Sequence, residues 1–342
     1  MIDLAEDVLD PDLPIVDAHH HLVDRPETGR YLLPEFLDDV RTGHDVVSTV
    51  YIEWASMQRA HGPTEMRPVG EVEFANGVAA MAASGTYGAT AVCAGIVGDA
   101  DLRLGAAVEP VLDALVTAGG GPDGRFKGVR FMTATDPGQS AWTAARPRPD
   151  GLLALPVVRA GVAKVVAAGL TFDAWCYHPQ IGEVVDLARA FPDARIVLDH
   201  VGGPLGVGPY AGRRDEVFAA WSSSMAELAA CPNVFVKLGG FGMSIFGFDT
   251  HRDATPSEVL AQHWRPYIET SVSVFGADRA MFESNFPADR EGVGYATLWN
   301  AFKRVAAGCS ASEKADLFAG TARRFYGLTG ETDRGALAFP PR

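Results

Sequence analysis

The sequence predicts a single (β/α)8 TIM barrel, and three observations carry that prediction. Eight short β-rich runs recur along the 342 residues, Ala- and Leu-rich segments of helical spacing separate most of them, and histidines cluster where runs end. The runs are "PIVDAHH" from Pro14, "VVSTVYIEW" from Val46, "ATAVCAGIVG" from Ala89, "FKGVRFM" from Phe126, "LTFDAWCY" from Leu170, "RIVLDHVGG" from Arg195, "NVFVKLGG" from Asn233 and "RAMFESNFP" from Arg279. Between them lie segments such as "EFANGVAAMAAS", "AVEPVLDALVTAG", "VVRAGVAKVVAAG" and "IGEVVDLARAFP". These stop at Gly or Pro, as at Gly169, Pro192 and Pro232, where a helix cannot continue and the next strand begins. A doubly wound open sheet shares the alternation, but the Gly-rich phosphate fingerprint that would follow its first strand is replaced here by histidines. With no low-complexity linker and no repeat of solenoid length, one domain spans 1–342.

Composition narrows the partners. Hydrophobic residues at 47% and charged residues at 21% describe a chain that folds. A net charge of −14 without a basic patch excludes nucleic acid and anionic membrane surfaces, since Arg213–Arg214 and Arg323–Arg324 are short and flanked by apolar or acidic residues. Four scattered cysteines form no CxxC pair, so neither a disulfide framework nor a thiolate zinc site is expected. The acidic N-terminus has no signal-peptide pattern, and no run approaches the roughly 18 apolar residues of a membrane span. The expectation is a cytoplasmic protein acting on a small molecule, with a homo-oligomer compatible with the sequence. Three longer stretches, near 53–70, 133–150 and 241–256, are expected to cap the barrel mouth.

Strand parity selects among the histidines. Alternate residues share a face, so Ile15, Asp17, His19 and His21 are placed on one side and Val16, Ala18 and His20 on the other. His19 and His21 then form the inward pair, and His20 packs toward the helices. The same rule groups Phe172, Ala174, Cys176 and His178, and groups Ile196, Leu198 and His200 with Asp199 opposite. Four of the nine histidines thus end three predicted strands, where a barrel makes them converge. His44, His61, His251 and His263 are read as ordinary structural or surface residues. Arg130 offers paired donors to an anionic substrate group, and Tyr51 and Glu53, sharing a face at the second strand end, are expected to line the pocket.

Taken in order, "VDAHHHL", "GVR", "FDAWCYHPQ", "RIVLDHVGGP", "VFVKLGG" and "MFESNFPAD" resemble the amidohydrolase superfamily, in its branch containing sugar lactonases and 2-pyrone-4,6-dicarboxylate lactonase. The resemblance covers nearly the whole chain. It implies a barrel, a first-strand His-x-His matching His19 and His21, a later-strand histidine matching His200, and an eighth-strand aspartate acting as metal ligand or general base. Here that motif reads Ser284-Asn285-Phe286-Pro287. An asparagine cannot take a proton from water near neutral pH, and as a neutral ligand it weakens a divalent site. The resemblance implies a divalent metal, zinc first, on His19, His21 and His200, with support from Glu283 or Asn285. Some lactonases of the family are understood to work without one.

The leading expectation is a hydrolase that opens a lactone or related cyclic ester, with clustered histidines polarising the carbonyl. His178, Glu283 or Asp289 would accept the proton, Asp289 first. For Glu283 the competing reading is a buried ion pair with Lys237. A metal-dependent decarboxylase of an aromatic or unsaturated acid, and a barrel that binds a small molecule without catalysis, are the alternatives.

Overall fold

Each predicted run becomes a strand in the computed structural model, which describes residues 6–139 and 148–328. In chain order the strands are β1 (Ile15–His20), β2 (Val46–Ile52), β3 (Ala91–Asp99), β4 (Phe126–Met132), β5 (Thr171–Trp175), β6 (Arg195–Leu198), β7 (Val234–Leu238) and β8 (Ala280–Phe282). They form one sheet in sequential order with parallel pairing throughout. Parallel neighbours require a crossover, and each gap holds a helix: α1 (Leu33–Val40), α2 (Val69–Ala83), α3 (Glu109–Ala118), α4 (Pro156–Ala167), α5 (Ile181–Ala190), α6 (Arg214–Ala229) and α7 (Ser257–Phe275), with α8 (Tyr295–Val305) after the last strand. The sheet closes beyond the ends of β1 and β8, where His21 N–H donates to Phe286 O at 2.7 Å and Asn285 N–H donates to His19 O at 2.8 Å.

Two apolar layers separate inside from outside. Val16, Ala18, Val50, Ile52, Val97, Val197 and Met281 fill the barrel interior together with Phe325 and Tyr326 of the C-terminal helical segment, which plugs the end opposite the histidines. Strand residues of the other parity, such as Ile15, Phe172, Ala174, Ile196 and Leu198, join the helices in the outer core. This inverts the parity assumed from the sequence on β1, β2, β5 and β6.

Of the three expected capping loops, 53–70 carries a short helical turn at Thr64–Met66 and 241–256 carries one at Ser244–Phe246. Within the third, residues 140–147, which include the first half of "AARPRPDG", lie outside the described residues. No described helix is long and apolar enough to cross a membrane.

Sheet closure tolerates little extra volume. A Cβ built on Gly128 would stand 2.0 Å from Thr171 Oγ1 and 2.4 Å from Thr171 O, on the neighbouring strand. Gly128→Ala is therefore expected to destabilise the fold by about 3 kcal/mol, read as a lower urea midpoint at unchanged slope.

Candidate active site

The histidines reach the mouth by leaving strand alternation rather than by following it. Val16 and Ala18 already point inward, and a register irregularity between Asp17 and His20 lets His19 turn inward directly after Ala18. His20 then faces outward: its ring stacks on Phe36 of α1 at 4.2 Å, and its Nε2 receives the Thr49 hydroxyl at 2.8 Å. His21 returns to the interior. The expected division of the three histidines is what the structure has, but a bulge produces it. His200 enters by a second device, a left-handed backbone at φ 52 just after β6, so Asp199 and His200 both face the centre instead of opposing faces.

The central contacts define proton positions. His21 Nδ1 lies 2.8 Å from Ile52 O, an acceptor, so Nδ1 carries the proton and Nε2 is a lone pair. Asn285 Oδ1 stands 3.3 Å from that Nε2, while its amide nitrogen donates to Asp289 Oδ1 at 2.7 Å. Two lone pairs therefore face each other. His19 Nε2 is a third atom at the same place, 3.2 Å from His21 Nε2. Behind the rings, Glu283 Oε1 accepts from His200 Nδ1 at 2.6 Å, and Oε2 lies 3.0 Å from His19 Nδ1. That Oε2 has no hydrogen-bond partner among the described residues. His19 Nδ1 instead takes a bond from Lys237 Nζ at 3.1 Å.

The donor set fits a divalent cation. Ligand atoms about 2.0–2.1 Å from a tetrahedral zinc lie about 3.3 Å apart, close to the distances from His21 Nε2 to His19 Nε2 and to Asn285 Oδ1. A cation there would also leave His19 protonated on Nδ1, giving the unpaired Glu283 oxygen its donor. Ligand atoms of His19, His200 and Glu283 all fall within 4.8 Å of one another. Burial, first of the causes, holds His19 and His21 well below the ordinary imidazole range and His200 at about 3, so all three are neutral and able to ligate.

The other sequence candidates divide. Arg130 does point inward, with Nη1 3.5 Å from His19 Nε2, but its Nε is bound to Glu53 Oε1 at 2.8 Å and its other Nη to Glu53 O. Glu53 lies at the mouth as expected; Tyr51 does not, since its hydroxyl donates to Glu71 of α2 at 2.8 Å. That correction follows from the inverted parity, which puts Val50 and Ile52 inside. His178 stands on the rim, where Nδ1 accepts from Leu205 N–H at 3.3 Å and the ring meets Tyr210, and burial lowers it to about 4. It is not drawn into the contacts of His19, His21 and His200. Asp289 is buried behind Asn285, one oxygen accepting from the Asn285 amide at 2.7 Å and the other from Gly242 N–H at 2.9 Å. Lys237 pairs with Asp173 at 2.7 Å and Asp199 at 2.9 Å, not with Glu283. Trp54 and Trp175, unnoticed in the sequence, pack on His21 and His200 at 4.9 and 4.6 Å.

A barrel with this mouth has known relatives. The family model described as Amidohydrolase matches residues 16–328. The chain belongs to this amidohydrolase family. It is 31% identical over 337 residues to the uncharacterized protein y4mH of Sinorhizobium fredii, covering 92% of this chain and 99% of that protein. It is also 31% identical over 168 residues to an L-fucono-1,5-lactonase of Burkholderia ambifaria, covering 49% of this chain and 48% of that one. Among solved structures, an amidohydrolase from Burkholderia multivorans with bound zinc superposes with a TM-score of 0.68 at 22% identity, covering 92% and 99% of the two chains.

Glu283 accepts from His200 Nδ1 and stands 3.0 Å from His19 Nδ1 in this amidohydrolase, so Glu283→Gln puts an amide where two acceptor oxygens stood. The expected outcome is a changed imidazole tautomer pattern in nitrogen-15 NMR and metal affinity lower by about 10–100-fold. Unchanged tautomers would show that Glu283 does not orient these rings.

Proposed function

We propose that this amidohydrolase hydrolyses a lactone or related cyclic ester at the cluster of His19, His21, His200 and Asn285. The observation that carries the reading is the convergence of His21 Nε2 on Asn285 Oδ1 at 3.3 Å and on His19 Nε2 at 3.2 Å, an all-acceptor set wherever His19 carries its proton on Nδ1 toward Glu283. A divalent cation, zinc first, held by His19, His21 and Asn285 with His200 beside them, would polarise a carbonyl oxygen and acidify water.

The chain's own residues have definable parts. Glu283 orients His19 and His200 from behind, and Asp289 fixes the Asn285 amide so that its oxygen faces the cluster. Arg130, clamped by Glu53, presents its remaining guanidinium edge beside His19, where negative charge would develop on a tetrahedral oxyanion. Burial of His19, His21, His200 and Asn285 keeps bulk water away, which strengthens these interactions. The L-fucono-1,5-lactonase relatives, matching about half the chain, support a lactone over an acyclic amide.

A panel of sugar lactones and aromatic acids, followed in parallel for acid release and for carbon dioxide, tests the reading. Acid release on lactones without carbon dioxide is the expected outcome; carbon dioxide from an acid substrate would make the protein a decarboxylase instead. In Asn285→Asp a carboxylate would lie against Asp289, so the metal-free protein should be less stable by about 1–3 kcal/mol. The added charge should tighten zinc binding at least about tenfold, measured by competition with a chelator. Equal zinc affinity in both proteins would remove Asn285 from the ligand set.

A further inference from the structure

A cavity of about 520 Å³ opens at the C-terminal ends of β2, β3 and β4, lined among others by Glu53, Trp54, Asp99 and Phe131. Trp54, in the wall of this cavity, packs on His21 at 4.9 Å, so one side chain separates the cavity from the histidine cluster. Asp99, the last residue of β3, faces the interior because Val97, two positions earlier, belongs to the barrel-filling core. Its Cα is paired with that of Arg130 on the neighbouring strand.

The other carboxylates around the cluster are fully buried or held by a cation, although Asp199 and Glu283 Oε2 lack hydrogen-bond donors among the described residues. Glu283 serves His200 and His19, Asp289 serves Asn285 and Gly242, and Asp173 and Asp199 serve Lys237. Glu53 is held by Arg130 and by Ala55 N–H at 3.2 Å. Asp99 has no hydrogen bond or ion pair among the described residues, and it is partly exposed to the cavity.

We propose that Asp99 is the group through which this site exchanges a proton with the reacting water, an assignment that rests on the hydrolase reading above. The oxygen of water bonds to the ester carbonyl carbon while one of its protons passes to an Asp99 carboxylate oxygen. The ring C–O bond then breaks with its electron pair on the leaving oxygen, and Asp99 returns the proton there. The product is a hydroxy acid, whose carboxyl proton is lost to solvent.

The surroundings give Asp99 the affinity for this exchange. Burial and the neighbouring Glu53 raise its pKa, Arg130 and Arg148 pull it back, and Asp101 on the same loop raises it slightly, leaving it at about 7. Arg103 also faces it but is bound to Asp101 at 2.7 Å. A base with a raised pKa is protonated below that value, so turnover should rise as pH passes upward through about 7.

The test measures kcat, KM and their pH profiles for the wild type, Asp99→Asn and Asp99→Glu on a lactone that the wild type opens, together with the carboxyl infrared band of each protein against pH. The expected result is a loss of kcat of about 100-fold or more in Asp99→Asn with KM within about threefold, loss of the acid limb, and partial rescue with a displaced limb in Asp99→Glu. Retained kcat and an unchanged limb in Asp99→Asn would overturn the assignment. If the wild type opens no lactone, the hydrolase reading fails and the infrared titration decides Asp99 separately. A band lost through about pH 7 and absent from Asp99→Asn supports a poised proton carrier, and titration in the ordinary carboxylate range near 4 refutes it.

Discussion

The closure of β1 onto the segment after β8 is the constraint on which the rest of the structure depends. The two backbone hydrogen bonds that join His19 and His21 to Asn285 and Phe286 turn an eight-stranded sheet into a barrel, and the same bonds set the Asn285 amide against His21. Asp17 reinforces the seam by accepting from Ser284 N–H at 2.8 Å, the Ser284 hydroxyl at 2.6 Å and the Tyr295 hydroxyl at 3.0 Å. Burial raises Asp17 to about 6 against the pull of these bonds, so the seam includes a costly group that is kept because it ties β1, β8 and α8 together.

Charge in the barrel centre follows from the same geometry. Inward-facing Lys237 and Arg130 meet Asp173, Asp199, Glu283 and Glu53, so carboxylates outnumber cations in a volume with little water. Protonation relieves part of that imbalance, and burial accordingly raises Glu283 and Asp199. A divalent cation at the histidines would relieve it too. Glu283, one of the supporting carboxylates expected from the sequence, stands behind the rings of His19 and His200.

That arrangement depends on a glycine. A Cβ at Gly239 would lie 2.3 Å from Glu283 Cγ, so the glycine ending β7 leaves the space that the longer acid fills. The carboxylate that the family resemblance places at the position of Asn285 is absent, and Glu283, two residues earlier, supplies charge to His19 and His200 from the other side.

The sequence by itself determined the barrel, since eight β-rich runs separated by helical spacing admit few other closures, and hydrophobic period is a local property that survives without tertiary context. It also singled out His19, His21, His178 and His200 as strand-end residues of such a barrel, of which the structure brings all but His178 into contact. Only the tertiary structure decided how they get there. The bulge after Asp17, the left-handed backbone at His200 and the turn of Tyr51 toward Glu71 each break or invert simple alternation, and a period of two carries no information about where it will be broken. Partner choice was equally hidden: that Asp289 binds Asn285 and that Glu283 binds His200 while standing beside His19 depends on distances across strands far apart in sequence. Residue type states which chemistry a side chain can do, and packing across the closed barrel assigns which of them does it.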